Sequence, residues 1–210
     1  MTARALSRRR LLNKIAQAPW WAVSRVTAFV WLRRCNSVGR NTRTFFRPNI
    51  DNRGRITIGS NVRLNSNWAP LELVTGPRGV IDIGDGVYIN YGTLVSAQRH
   101  VNIGANVMVG NYSIISDTEI PGIDEPDGAP EMPARSVEIG KGAWLAARVT
   151  VLPGAQIGEG AIIAAGSVVA GVIPAGAVAG GIPARVIRAA DSAAPVKEGP
   201  APSASGRQKE

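Results

Sequence analysis

The sequence predicts an all-β chain wound into a parallel β-helix, preceded by a basic amphipathic helical segment. Three observations carry this. An aliphatic residue recurs every six positions, at Ile139, Leu145, Val151, Ile157, Ile163 and Val169. Glycine is abundant at 24 residues, whereas aromatics make up 5%. All charge before Asp51 is positive, with ten Arg and Lys14 in residues 1–50. The remaining 13 basic and 15 acidic residues nearly cancel, so a basic head precedes a near-neutral body within a net charge of +9.

The head spans residues 1–35. Its apolar stretch from Ile15 to Leu32 is interrupted by Gln17, Pro19 and Arg25, and a charge at mid-span is costly in a bilayer. A transmembrane helix is therefore not expected. The Ser7-Arg8-Arg9 start lacks the uncharged core and small-residue cleavage site of an export signal. One or two amphipathic helices, broken near Pro19, fit better. Trp20, Trp21, Phe29 and Trp31 give them a sticky face among arginines. That face has two uses: peripheral docking of residues 1–34 on the inner face of a membrane, or packing on the fold or a neighbouring subunit. The local charge argues against a nucleic-acid partner.

The body spans residues 36–190. A period of six is neither an alternating strand nor a 3.6-residue helix. Short strands turning at small residues produce it. Three hexads close a triangular coil, and successive coils stack about 4.8 Å apart through parallel strand hydrogen bonds. Small or branched residues recur four positions after each aliphatic: Ala143, Val149, Ala155, Ala161 and Ser167. The register also runs through Ile83, Ile89 and Val95, slips by two, and resumes at Ile103, Val109 and Ile115. A weaker copy starts at Ile58-Gly59 and Leu64. The acidic stretch from Pro121 breaks the hexads, so residues 121–138 are expected to project as a loop. Residues 191–210 are rich in Ala, Pro, Ser and charge and are expected to be disordered. One cysteine, Cys35, rules out an internal disulfide, and one histidine, His100, rules out a three-histidine metal site within one chain. No metal is expected.

The hexads resemble those of the hexapeptide-repeat acyltransferases, whose fold is a left-handed parallel β-helix. The segments that follow the family include Trp144-Leu145-Ala146-Ala147, Pro153-Gly154, Ala165-Gly166-Ser167-Val168-Val169 and Gly181-Ile182-Pro183-Ala184-Arg185, with Ile89-Asn90-Tyr91 upstream. They are most similar to maltose and galactoside acetyltransferases and to capsule and lipopolysaccharide O-acetyltransferases. The resemblance implies a cytoplasmic homotrimer that transfers an acetyl group from acetyl-CoA to a sugar or glycan precursor, by O- or N-acetylation. It places the pantetheine arm along Ala147, Ala165 and Gly166, the phosphate-bearing end of CoA at Arg185 and Arg188, and the acceptor at Asn90. It also expects a catalytic histidine where this chain has Pro121, and a Thr-Lys pair where it has Ala170-Gly171. Acyl transfer to a hydroxyl needs a base. The candidates left are His100, expected at a coil corner, and the carboxylates Asp117 and Glu119. A chain with no base would instead be an impaired relative that binds a glycan or partner. The single histidine argues against a γ-class carbonic anhydrase relative on the same fold, which needs histidine ligands to zinc.

Overall fold

The computed structural model describes residues 27–118 and 133–190. Its strands stack in three parallel sheets, the faces of a triangular prism. Face 1 has seven strands, from Ser37–Val38 to Val172–Ile173. Face 2 has eight, from Arg43–Phe45 to Ala184–Arg188, and face 3 has six, from Asn49–Asn52 to Val168–Val169. Each coil crosses the faces in the same order, so strands of one face come from successive coils.

The aliphatic register is the core. Ile83, Ile89, Val95, Ile103, Val109, Ile115 and the hexad residues from Ile139 to Val169 are all buried. They stack in register, as Ile83 on Ile103 and Ile103 on Ile139. The residues four positions on, Ala143, Val149, Ala155, Ala161 and Ser167, are buried at the inside of the corners, where bulk would collide.

Coil length departs from three hexads where extra residues leave through the corners. Ile58 pairs with Ile83, twenty-five positions on, and Ile83 with Ile103, twenty on. At the far end the spacing contracts: the inward residue after Val169 is Ile173, with only Ala170, Gly171 and Val172 between. The strand Val137–Ile139 pairs with Val101–Ile103, so ordered coil resumes inside the segment expected to project to residue 138. The final strand, Ala184–Arg188, folds back antiparallel on Val178–Gly181.

Of the head, residues 27–31 are helical. Ala28 and Leu32 pack into the core cluster, closing the open end of the apolar column, while Phe29 is 86% exposed. The remainder of the expected amphipathic segment, Glu119, Pro121 and the tail from residue 191 lie outside the described residues. Among the described residues no helix is long and apolar enough to cross a membrane.

Candidate active site

The corner between faces 2 and 3 is a continuous column. Gly92 N–H donates to Ala69 O, Tyr112 N–H to Tyr91 O, Arg148 N–H to Asn111 O and Gly166 N–H to Ala147 O. Asn90, Ala147, Ala165 and Gly166 thus share one edge of the prism. Ala147 lies two coils from Tyr91, about 10 Å along the axis at strand spacing.

Asn90 is half-buried on this edge. Its Oδ1 accepts from Asn65 Nδ2 and from Tyr91 N–H, both at 2.9 Å. That fixes the amide and leaves Nδ2 as a donor with no partner among the described residues. Such a donor suits negative charge developing on a carbonyl oxygen. Neighbouring rings hold the corner: Tyr91 and Tyr112 meet edge to face at 5.4 Å, and the Tyr112 ring fills the space a side chain at Gly92 would need.

The end of the column at Ala147, Ala165 and Gly166 is bare backbone. Among the described residues, neither Ala147 N–H nor Ala165 N–H has a hydrogen-bond partner. At Gly166, φ is +70° and a Cβ would point into open space. An extended amide-bearing chain can approach such a ridge and bond to it. The final hairpin packs beside it: Gly181 N–H donates to Ser167 Oγ, and Gly180 lies against Ala164. This brings Arg185 and Arg188, both exposed, to the same end of the molecule. The residues therefore fit an acyl-CoA: small groups for the arm, free amides for its carbonyls and guanidiniums for its phosphates.

His100 and Asp117 lie elsewhere, toward the corner between faces 3 and 1. The corner expected at His100 is at Gln98-Arg99, because the two extra residues of the slip fall there; His100 opens the strand His100–Ile103. Its ring is half-buried, with Nε2 3.0 Å from Asp82 Oδ2. Nδ1 lies 3.8 Å from Glu138 Oε1, too far for a hydrogen bond. Arg55 approaches Asp82 at 3.8 Å, and Asn102 Nδ2 donates to Glu138 Oε2. Asp117 is fully buried. Its Oδ1 accepts from Gln98 N–H, and its Oδ2 from the N–H groups of Arg99 and His100, at 2.7–2.8 Å. With its oxygens turned to three backbone donors, it ties the corner and the base of the loop, where Arg135 N–H donates to its carbonyl. Asp117 therefore aims no free oxygen at a substrate.

Comparison with known proteins places this architecture. Residues 136–171 match the family model "Bacterial transferase hexapeptide (six repeats)". The chain is 33% identical over 148 residues to the putative lipopolysaccharide biosynthesis O-acetyl transferase WbbJ of Escherichia coli K12, covering 66% of this chain and 74% of that one. It belongs to the hexapeptide-repeat transferases. It is also 36% identical to the galactoside O-acetyltransferase of E. coli K12, over 63% of each chain. Among solved structures, a point mutant of AntD, an N-acyltransferase from Bacillus cereus in complex with dTDP and coenzyme A, aligns with a TM-score of 0.55 and 25% identity. That match covers 74% of this chain and 84% of AntD. The fold is the left-handed parallel β-helix of this family, and transferase activity with an acyl-CoA donor is supported.

In a hexapeptide-repeat transferase, the partners that sequence reasoning missed are Asp82, Asn65 and Glu138. Asp82 precedes His100 by eighteen positions, one ideal coil, and that spacing is the available signal. Asn65 lies in one of the long coils, where the spacing to Asn90 is irregular. Glu138 falls in the segment assigned to the loop.

Proposed function

We propose that this chain is an acetyl-CoA-dependent acetyltransferase acting on a sugar or glycan precursor, assembled as a homotrimer. The separation of the site residues carries this reading. Asn90 and the donor ridge occupy the corner between faces 2 and 3; His100 lies across face 3, at nearly the same height along the axis. Two different edges of one chain meet when copies pack head to tail around a closed ring. Met108 and Trp144, stacked on the outside of face 2 and 44% and 47% exposed, give such a ring apolar contact surface.

In that arrangement the donor supplies an activated thioester carbonyl. Asp82 holds the Nε2 proton of His100, leaving the Nδ1 lone pair free to take the acceptor's proton. As the acceptor atom bonds to the acetyl carbon, Asn90 Nδ2 donates to the carbonyl oxygen. The carbon–sulfur bond then breaks, and the proton on His100 passes to the departing thiolate. AntD and galactoside O-acetyltransferase bear names for N- and O-acylation respectively, and both acceptor types suit this arrangement. A role in polysaccharide synthesis on the cytoplasmic side, with residues 1–34 touching the membrane, accords with WbbJ's name and the basic head.

The test is acetyl transfer to pooled sugars and nucleotide sugars. His100→Ala is expected to lower turnover by about 10²–10⁴ with acetyl-CoA affinity unchanged. Unchanged turnover overturns the role of His100. A second reading, a non-catalytic relative, is favoured by Pro121 in the expected base position and by Ala170-Gly171 in place of a phosphate-side cation. Absence of acetyl-CoA binding by the full chain selects it.

A further inference from the structure

At the N-terminal end of the Asn90 edge, the helical residues and the first coils enclose a recess of about 470 Å³. Trp31, Arg33 and Arg34 line one side of it, and Arg47, Pro48 and Pro70 the other. Its size lies within the range of small-molecule sites. We propose that this recess binds a phosphate-linked portion of the acceptor, so that the substrate class is a glycosyl diphosphate. This rests on the acetyltransferase reading above.

Charge is the first argument. Three guanidiniums line one small recess, and among the described residues none of them pairs with a carboxylate. The nearby Asp51 is turned to Arg53, at 3.4 Å. Of the three, only Arg34 has a partner among the described residues, donating from Nη1 to Ile50 O at 3.0 Å, which pins it in place. Arg33 and Arg47 present their forks with no partner among the described residues. Clustered like charges repel, and a multiply charged anion relieves them; planar guanidiniums match phosphate oxygens in pairs. A neutral sugar gives no reason for three arginines.

Position is the second argument. The recess shares its corner column with Asn90. The corner bearing Arg47 and Pro48 stacks on the one bearing Pro70, through Ser66 N–H to Phe45 O and Asn49 N–H to Leu71 O. That corner stacks on Gly92 and is tied to Asn90 by the Asn65 amide. Two coil steps, about 10 Å, separate the recess from Asn90. A phosphate seated among the arginines therefore directs its sugar along the edge toward the acetyl-transfer position. Trp31, half-buried at the wall, and Trp68, 82% exposed on the adjoining corner, offer flat faces to what the phosphates carry on their other side.

A diphosphate-linked sugar can be a soluble nucleotide sugar or a lipid-linked one, and the experiment separates them. Acetyl-CoA binding to the full chain is measured first by calorimetry, then held at saturation so that the donor's own phosphate contacts are filled. One arm titrates in UDP and dTDP; the other measures flotation with phosphatidylcholine vesicles containing undecaprenyl diphosphate. Binding is expected in one arm, weakening as salt rises. Arg33→Gln with Arg47→Gln is expected to reduce it about tenfold or more while acetyl-CoA binding stays unchanged. These two side chains hold no hydrogen bond or ion pair among the described residues, so the variant should stay folded; unchanged thermal melting verifies this. Diphosphate binding in neither arm, or binding unaffected by the double variant, overturns the inference and leaves the acetyltransferase reading standing. Loss of acetyl-CoA binding by the unmodified chain instead removes the reading on which it rests.

Discussion

The coils of residues 137–173 and those of residues 37–103 share one apolar column and differ at their corners. In the later coils Ile139 stacks on Ile157 at an interval of eighteen, and Gly142, Gly154, Gly160 and Gly166 take left-handed turn positions at φ of 65–82°, with Arg148 at 59°. In the earlier coils the interval stretches to twenty-five, and Asn41 and Asn61 take left-handed positions at 59–60°, with Phe46, Gly86 and Gly92 at 62–69°. Asn tolerates that conformation better than most residues, and the two asparagines are joined across successive coils by Asn41 Nδ2 donating to Asn61 Oδ1 at 2.8 Å. Stacking constrains only the inward residues, so added length is expelled outward. The uniform coils present bare backbone that suits an invariant donor. The irregular ones present Trp68, Arg47 and Asn65, side chains able to distinguish one acceptor from another.

The largest expected effects test whether the column is indeed shared. Ile157→Ala in the regular coils and Ile81→Ala in the irregular ones should each cost about 2–5 kcal/mol in urea denaturation, since both residues are buried within face 1. A loss at only one of the two positions breaks the comparison.

Next in size is Asp117, at the junction of the two regions. Asp117→Asn removes charge-assisted bonds from three backbone amides and turns an NH₂ toward at least one of them. About 1.5–3 kcal/mol of stability should go with it. Turnover per folded molecule should hold, which a catalytic base at this position would not allow; a rate loss at unchanged stability would return Asp117 to the chemistry.

Legibility in the sequence follows the same division. Hexads reveal the core because each inward residue obeys a physical repeat, and every member of the register from Ile83 to Val169 is buried. Corner insertions have no period, so the long coil between Ile58 and Ile83 and the shortened step from Val169 to Ile173 escape a reading by repeat. His100 reads as a corner residue because a slip of two residues can be located only within the gap it opens. Its partners Asp82 and Glu138 come from neighbouring coils, and the apparent loop conceals Glu138. The proposed donor ridge is legible through resemblance alone: alanine and glycine at a corner announce nothing by themselves, and it is the N–H groups of Ala147 and Ala165, without partners among the described residues, that suit them to an amide-bearing chain.

The donor and acceptor ends of the proposed site can be separated by affinity. Arg188→Ala should weaken acetyl-CoA binding by about 1–3 kcal/mol, since a guanidinium–phosphate contact at an exposed site is lost. Arg47→Gln, at the other end of the same edge, should leave acetyl-CoA binding unchanged. Calorimetry on both variants sharpens the division; equal losses would mean that the donor spans the whole edge.

The smallest effect is confined to the first coil. Cys35 packs beside the core at the point where the helical residues join the coils, and burial pushes its thiol from 9.0 up to about 12. The folded chain therefore keeps its proton over a range in which the unfolded chain releases it. With more protons bound in the folded state, stability falls as pH rises. The contribution is complete up to about pH 8, and about 0.4 kcal/mol of it is gone at pH 9, where half of the unfolded thiols are ionised. The loss grows as pH climbs toward 12. Other groups titrate in the same window, so the measurement is a difference: urea stability of the wild-type chain minus that of Cys35→Ala, followed from pH 7 to pH 10. The difference should be flat to about pH 8 and then drift against the wild type. At neutral pH the thiol should also react slowly with iodoacetamide, because the thiolate is the nucleophile. Rapid alkylation of the folded chain, with no alkaline drift, would show that the helical segment opens from the first coil, and that the N-terminal region differs from the C-terminal coils in its core as well as its corners.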